Sequence, residues 1–382
     1  MSGHGALQPS LPSSAYTDPA QYIREKTCIF EREWMAACRA DEIPGTGDWR
    51  VFDMVANDVL VVRGQDKVLR AFYNVCRHRG ARLCAGQHEP HKPGRAVLPA
   101  SVLANGMIRC PYHGWTYRSD GSLMGAPHVS TTDGFDPAAF SLYPVGCEEW
   151  GGFVFLNLSP EQAPSLASQI GATAGRVANY PLSDLGIGHR ISYSVDCNWK
   201  ILCENYNECY HCGPVHPELC DLVPAFRNQG GDGLEWERGI AHREGAMTFT
   251  WSGTTSRALF SALNADERAR HKGELIYPNL FLSLSADHVT AYILRPRGPA
   301  RTDVDCLFLF QKAEMETAGF DHADASSFWD VVNQQDWAIC ERVQAGMGAR
   351  PHRQGFYAPM EDANLDMRAY VESRLAINPS RS

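Results

Sequence analysis

The spacing of apolar positions changes along the chain, and each change predicts a different element. Between residues 21 and 40, Tyr22, Ile23, Cys28, Ile29, Phe30 and Trp34 fall at intervals that give a rough helical stripe. From Asp48 the pattern shortens to strands. Val59–Arg63 and Val68–Tyr73 are apolar and rich in β-formers, and Gly64-Gln65-Asp66 between them is a hairpin signal. Met107–Arg109 and Trp115–Arg118 follow, with Asp120-Gly121 as a tight turn, and Gly151–Leu158 reads as one more strand. Residues 44–160 therefore predict a small antiparallel β domain, with the polar, Pro-containing stretch 87–104 as an inserted loop. In the second half, Asp196–Tyr210 reads as a helix stopped by Gly213-Pro214. Tyr277–Ser285, Val289–Leu294 and Cys306–Gln311 read as strands, and Ser326–Met347 as a long helix free of Pro. The fold class is α+β, with residues 1–43 as a helical segment joining a catalytic domain at 161–382.

Composition narrows the function. A chain of 382 residues has room for two domains, and 44% apolar with 21% charged residues is ordinary for a folded protein. No apolar run reaches the roughly 18 residues of a membrane span, and no basic stretch with an apolar core opens the chain. The reading is a cytoplasmic protein with no membrane contact. A net charge of −9 speaks against nucleic acid as a partner. Thirteen cysteines without a visible secretory signal are reduced thiols in this reading, some of them metal ligands.

Two constellations carry the chemistry. The first is Cys76-Arg77-His78 with Cys110-Pro111-Tyr112-His113. Two thiolates and two imidazoles suit either a tetrahedral zinc ion or a [2Fe–2S] cluster with Cys76 and Cys110 on one iron and His78 and His113 on the other. The single residue between Cys76 and His78 favours the cluster, because zinc fingers space their pairs more widely. Arg79-Gly80-Ala81 and Gly114-Trp115 follow the two pairs, and the glycines let backbone N–H groups approach the sulfur atoms.

The second constellation runs from Glu204 to His216. Glu208 and His211 are three apart, hence on one face of a helix. His211 and His216 are five apart and diverge on a regular helix, so Gly213-Pro214 is the expected break that brings His216 round. Two histidines and one carboxylate make a facial triad for Fe(II) with open positions. Asp336 is the candidate carboxylate, in the row Val332, Ile339, Val343 of the late helix. A carboxylate buried there needs a metal bond or an Arg partner. Asp321, Asp324 and Asp330 are weaker candidates near the helix start, where acidic residues are common. Cys209 and Cys212 form a bare Cys-x-x-Cys; with Cys197, Cys203 and Cys220 they read as small apolar fillers rather than a zinc or redox site.

Cys-Arg-His-Arg-Gly followed by Cys-Pro-Tyr-His-Gly-Trp resembles the Rieske motif. The 31 residues at 79–109 exceed the usual spacing, and the 87–104 insert accounts for the excess. A Rieske motif, then Glu208-x-x-His211-x4-His216, then a late helical Asp, resembles the catalytic subunit of Rieske non-haem iron oxygenases over nearly the whole chain. The resemblance implies that Cys76, His78, Cys110 and His113 hold a [2Fe–2S] cluster and that His211, His216 and Asp336 hold mononuclear Fe(II). It places Glu208, where most such proteins have Asp, between His211 and a cluster histidine, His113, of a neighbouring subunit. It further implies O2 as co-substrate, NAD(P)H electrons through a separate flavin- or ferredoxin-type reductase, and a homotrimer. No nucleotide-binding glycine fingerprint accompanies a strand, so the reductase is a separate chain.

The Glu-Asn-Tyr-Asn-Glu-Cys-Tyr-His-Cys run is most similar to the quaternary-ammonium group, which includes glycine betaine, carnitine and proline betaine oxygenases. Monooxygenation would then lead to N-demethylation or C–N cleavage of a small methylated ammonium compound. The alternative is hydroxylation or O-demethylation of an aromatic or heteroaromatic acid, by monooxygenase or dioxygenase chemistry. A non-catalytic Rieske electron carrier would leave the second constellation without a role. A cationic substrate favours aromatic faces, and Phe249, Trp251, Tyr277, Phe281 and Tyr292 are the candidates for the pocket.

Overall fold

A computed structural model describes residues 6–85, 101–102, 105–129 and 131–376. The chain divides into two units: 30–166 forms one, and the segments up to Ile29 and from Ala167 together form the other. Of the loop expected at 87–104, only residues 101 and 102 fall among those described.

The 30–166 unit is built on a six-stranded antiparallel sheet. Its order is Met35–Arg39, Phe153–Asn157, Pro144–Trp150, Leu69–Tyr73, Asn57–Arg63 and Trp49–Met54. The helical stripe read over 21–40 therefore stops early. It spans Pro19–Glu25 and the π turn Lys26–Phe30, after which Met35–Arg39 is extended and buried at all five positions. That strand pairs with Phe153–Asn157, so a strand buried on both faces has replaced the helix. A second sheet of three short strands, Ile108–Arg109, Thr116–Tyr117 and Leu123–Gly125, shares a core with the first. Leu60, Val62, Phe72, Trp115, Tyr117, Leu123 and Leu142 fill it, and Cys76 and Cys110 belong to the same cluster.

The other unit carries an antiparallel sheet in the order Leu185–Val195, Arg301–Gln311, Val289–Gly298, Leu280–Leu284, Arg270–Ile276 and Ile240–Ala241. The Trp199–Asn207 and Ala323–Met347 helices cover it. Asn198 caps the first helix by accepting from the Lys200 N–H. The N-terminal segment locks this helix from the side. Glu25 accepts from Lys200 Nζ at 2.6 Å and from Trp199 Nε1 at 2.8 Å, and both charged side chains are fully buried. Removing one partner of such a pair would cost about 3–5 kcal/mol. One turn on, Glu204 accepts from Tyr16 at 2.5 Å and Tyr357 at 2.6 Å. Strands Gln8–Pro12 and Gln354–Tyr357 pair to bring those tyrosines together.

On the Ala323–Met347 helix the buried row runs through Ala325, Trp329, Val332, Asn333, Cys340 and Gln344. Val343, expected on the apolar stripe with Asp336, is 39% exposed. Asp336 remains on the inner row because it follows Val332 and precedes Cys340 by four residues each.

Candidate active site and metal centres

The two Rieske-type loops are built alike. The Cys76 N–H donates to the Ala81 carbonyl, and its own carbonyl accepts from Gly80. Cys110 N–H donates to the Trp115 carbonyl, and its carbonyl accepts from Gly114. Each loop thus closes on a glycine four residues after the cysteine, at φ +70° for Gly80 and +73° for Gly114, where a Cβ would be strained. The closure sets both cysteines into the core and both histidines outward. Cys76 and Cys110 are buried, whereas His78 and His113 are exposed, with their rings 4.7 Å apart. Trp115 backs the pair by stacking on His78 at 4.9 Å, itself wedged by Phe135 and Phe140.

Burial raises the Cys76 thiol pKa, and the Tyr117 hydroxyl 3.2 Å from its sulfur is placed to donate to the thiolate. The four donor atoms do not close on a single point as one tetrahedral ion demands. Among the described residues, the His, Cys, Asp and Glu group with donor atoms within 4.8 Å of one another lies elsewhere. A spread set of two thiols and two imidazoles suits two irons.

That tighter group is His211, His216 and Asp336. Asp336 Oδ1 lies 3.3 Å from His211 Nε2 and 2.9 Å from His216 Nε2. Each imidazole is oriented through its other nitrogen. His211 Nδ1 meets Glu208 Oε1 at 2.5 Å, and His216 Nδ1 meets Gln335 Oε1 at 2.8 Å. Gln335 is in turn held by donating to Glu218 at 3.1 Å. With each Nδ1 held by its own partner, both Nε2 atoms face the same Asp336 oxygen, the arrangement a bound metal needs. Burial alone would lower the pKa of His211, but the hydrogen bonds its ring donates to the Asp336 and Glu208 carboxylates, with the attraction of their charge, outweigh it and push the imidazole up to about 10. Burial would raise Asp336, and the two histidines instead hold its carboxyl below the usual carboxylate range. Two imidazoles and a carboxylate crowded so closely suit a divalent cation.

The local route to this geometry differs from a continuous helix. Trp199–Asn207 ends at Glu208, whose backbone is extended at φ −137°, ψ 164°. The Glu208 carboxylate then accepts from the N–H groups of Tyr210 and His211, capping the turn it leads into. The pair therefore meets through a cap rather than across a shared helix face. Gly213-Pro214 does not make the break before His216, because both lie inside the one-turn helix Cys212–Val215. The chain leaves helical conformation at His216, φ −121°, ψ 75°, immediately ahead of Pro217. A residue preceding Pro is driven out of the α region. Cys209 and Cys212 are joined by a disulfide, closing a ring of backbone that contains His211, and so are not simple fillers; Cys197, Cys203 and Cys220 are free and buried.

A cavity of about 230 Å³ adjoins His211, His216 and Asp336. Its walls include Tyr206, Leu219, Phe226, Trp236, Phe249, Trp329 and Val332, with Asn205, Asn207, Glu208, His271 and Ser283 as polar groups. Of the five aromatics expected to line it, Phe249 does. Trp251 is 51% exposed and donates to Ser327. Tyr277 stacks on Tyr370, and Phe281 lies behind Tyr206 at 4.6 Å. Tyr292 sits in the core beside Trp329. The aromatics that sequence reasoning missed are Tyr206 on the Trp199–Asn207 helix, Phe226 on the short Pro224–Gln229 helix, Trp236 in the segment after it, and Trp329 on the helix of Asp336 itself. Trp329 precedes Asp336 by seven residues, two turns on the same face, which is a legible signal.

Residues 33–136 match the family described as Rieske [2Fe-2S] domain, and residues 182–377 match the ring hydroxylating alpha subunit (catalytic domain). The glycine betaine monooxygenase oxygenase subunit of Chromohalobacter salexigens is 30% identical, over 91% of this chain and 82% of that protein. The carnitine monooxygenase oxygenase subunit of Escherichia coli K12 is 36% identical over 57% of this chain and 55% of that protein. A solved quaternary ammonium Rieske monooxygenase superposes with a TM-score of 0.73 at 25% identity, covering 96% of both chains. Naphthalene 1,2-dioxygenase from Rhodococcus sp. shares the fold, with a TM-score of 0.70 at 20% identity over 96% of this chain and 94% of that one. No helix among the described residues is long and apolar enough to cross a membrane. The chain belongs to the ring-hydroxylating alpha-subunit family, an O2-dependent Rieske oxygenase whose metal groups are a [2Fe–2S] cluster and a mononuclear iron.

Proposed function

We propose that the protein is the oxygenase component of a two-component monooxygenase that removes an N-methyl group from, or cleaves a C–N bond in, a small methylated ammonium compound. The cavity carries this reading. Five aromatic rings, those of Tyr206, Phe226, Trp236, Phe249 and Trp329, stand around it, Glu208 adds a carboxylate, and no Lys or Arg among the described residues lines it. Aromatic faces and carboxylates attract a quaternary cation. An aromatic acid would bury its carboxylate there without a counter-charge. At about 230 Å³ the space is also below the ~300–1,000 Å³ usual for drug-sized ligands.

In this reading Cys76 and Cys110 hold one cluster iron, and the exposed His78 and His113 hold the other, facing the electron donor or acceptor. His211, His216 and Asp336 hold the mononuclear iron. When bound, that ion supplies dioxygen activation with electrons from the cluster. Glu208 fixes the His211 tautomer from one oxygen and links it to His113 of a neighbouring subunit in a homotrimer. The related quaternary ammonium enzyme is described in terms of inter-subunit electron transfer, which supports that link. A separate reductase delivers NAD(P)H electrons. Insertion of one oxygen atom into an N-methyl C–H bond consumes O2, two electrons and two protons and yields water and a carbinolamine. The carbinolamine then splits into formaldehyde and the demethylated amine.

The test is O2 uptake by the reconstituted holoenzyme with a Rieske-system reductase, NADH and a panel of choline, glycine betaine, carnitine and benzoate. Formaldehyde or amine release with an ammonium compound is the expected result. A phenol or diol from benzoate, with no ammonium compound turned over, would overturn the assignment.

A further inference from the structure

His271 lines the substrate cavity with one ring nitrogen, Nδ1, left without a hydrogen-bond partner. Asn205 faces His211 Nε2 at 3.1 Å, Tyr206 and Ser283 share a hydrogen bond at 3.1 Å, and Asn207 donates to Tyr277 at 3.1 Å. His271 is 8% exposed, lines the cavity, and has its Nδ1 buried without a hydrogen-bond partner. Its ring packs edge-on against Phe249 at 4.4 Å and lies 6.2 Å from Trp329. It is thus continuous with the aromatic wall. A buried imidazole nitrogen left unpaired is costly, and native structures rarely leave one without a reason.

We infer that His271 anchors the far end of the substrate, and that this end is an uncharged hydrogen-bonding group such as a hydroxyl rather than a carboxylate. The inference rests on the ammonium reading above and narrows it. Burial, aided by His242 and His288, holds the His271 pKa well below its ordinary value; a hydrogen bond involving the Leu284 backbone, which acts the other way, is the weakest of the four influences. The ring is therefore neutral, a matched partner for a neutral donor or acceptor. The cavity offers a carboxylate no Lys or Arg among the described residues, while Glu208 adds negative charge to its wall. A zwitterionic betaine would gain the aromatic contacts at one end and lose hydration without compensation at the other.

Three probes separate the possibilities in the reconstituted holoenzyme: choline, glycine betaine and tetramethylammonium, with KM and kcat read from O2 uptake and formaldehyde release. The expected order is kcat/KM higher for choline than for glycine betaine by about tenfold or more, the scale of one satisfied hydrogen bond. His271→Phe should raise KM for choline by about tenfold and for tetramethylammonium, which has no polar end, by much less. His271→Gln should recover part of the choline affinity, which a purely space-filling role would not show. Glycine betaine preferred over choline by the wild type, or equal losses for choline and tetramethylammonium in His271→Phe, overturns the inference and leaves the ammonium reading standing. Benzoate is run alongside as a control, and its turnover with no ammonium probe oxidised overturns both.

Discussion

Glu204→Gln gives a test of the buried polar file beneath the active-site helix. Glu204 accepts from Tyr16 and Tyr357, and the residue is partly buried one turn before Glu208. Burial raises its carboxyl to about 7, against the opposing pull of the two tyrosine hydroxyls and Lys200 and with Glu361 adding to the rise. The sign follows from proton uptake. Between pH 4.5 and 7 the native carboxyl keeps a proton that the unfolded chain has released, so stability falls as pH rises and levels off above 7. A full shift from 4.5 to 7 corresponds to roughly 2.5 kcal/mol lost between pH 5 and 8; allowing for the solvent-facing part of the residue, we expect about 2 kcal/mol. Gln cannot titrate, and all other ionisable groups are common to both proteins and cancel in the difference. Thermal melts of wild type and Glu204→Gln at pH 5 and pH 8 should therefore diverge. The wild-type advantage in Tm should grow by about 5 °C on going from pH 8 to pH 5. A constant difference across that range would refute the raised carboxyl and the reasoning built on it.

Two further substitutions address the metal groups. Asp336→Ala removes the oxygen shared by both Nε2 atoms, so iron analysis should lose the mononuclear equivalent while the visible absorption of the cluster persists; full iron content with turnover would reject Asp336 as a ligand. Glu208→Gln keeps an acceptor for His211 Nδ1 but removes the charge. Both metal groups should stay bound while oxidation of the reduced cluster in a single turnover slows by about tenfold or more, and an unchanged rate would refute the bridge.

Much of the metal chemistry was legible because it is written in short motifs. Cysteine and histidine separated by one residue in the first loop and two in the second, with glycine four residues after each cysteine, leave few ways to close a loop, and the structure closes both with the same hydrogen bonds. The place of Asp336 beside the two histidines was legible because a carboxylate on an inner helical row needs a partner. The backbone between Glu208 and His216 was harder to read. Gly213-Pro214 looked like the break, but proline in a first helical turn is compatible with helix, and the residue forced out of it is the one before Pro217. Cavity walls were least legible. Periodicity reports which aromatics are buried, and Phe281 and Tyr292 are, but it does not say which buried ring faces an empty space. Met35–Arg39 was misread because a strand buried on both faces has no alternation to betray it.

The pairing of Gln8–Pro12 with Gln354–Tyr357 also dictates an order of events during synthesis. The first 29 residues leave the ribosome early, yet Lys200, Glu204 and the 354–357 strand that complete their surroundings arrive only after the whole 30–166 unit has been made. That intervening unit can settle on its own contacts as it emerges, while the leading segment must wait with its apolar side chains uncovered. Closure across nearly the full length of the chain is a slow, high-contact-order step. The oxygen-handling half of the protein is thus assembled last, after its electron-storing half has already had time to form.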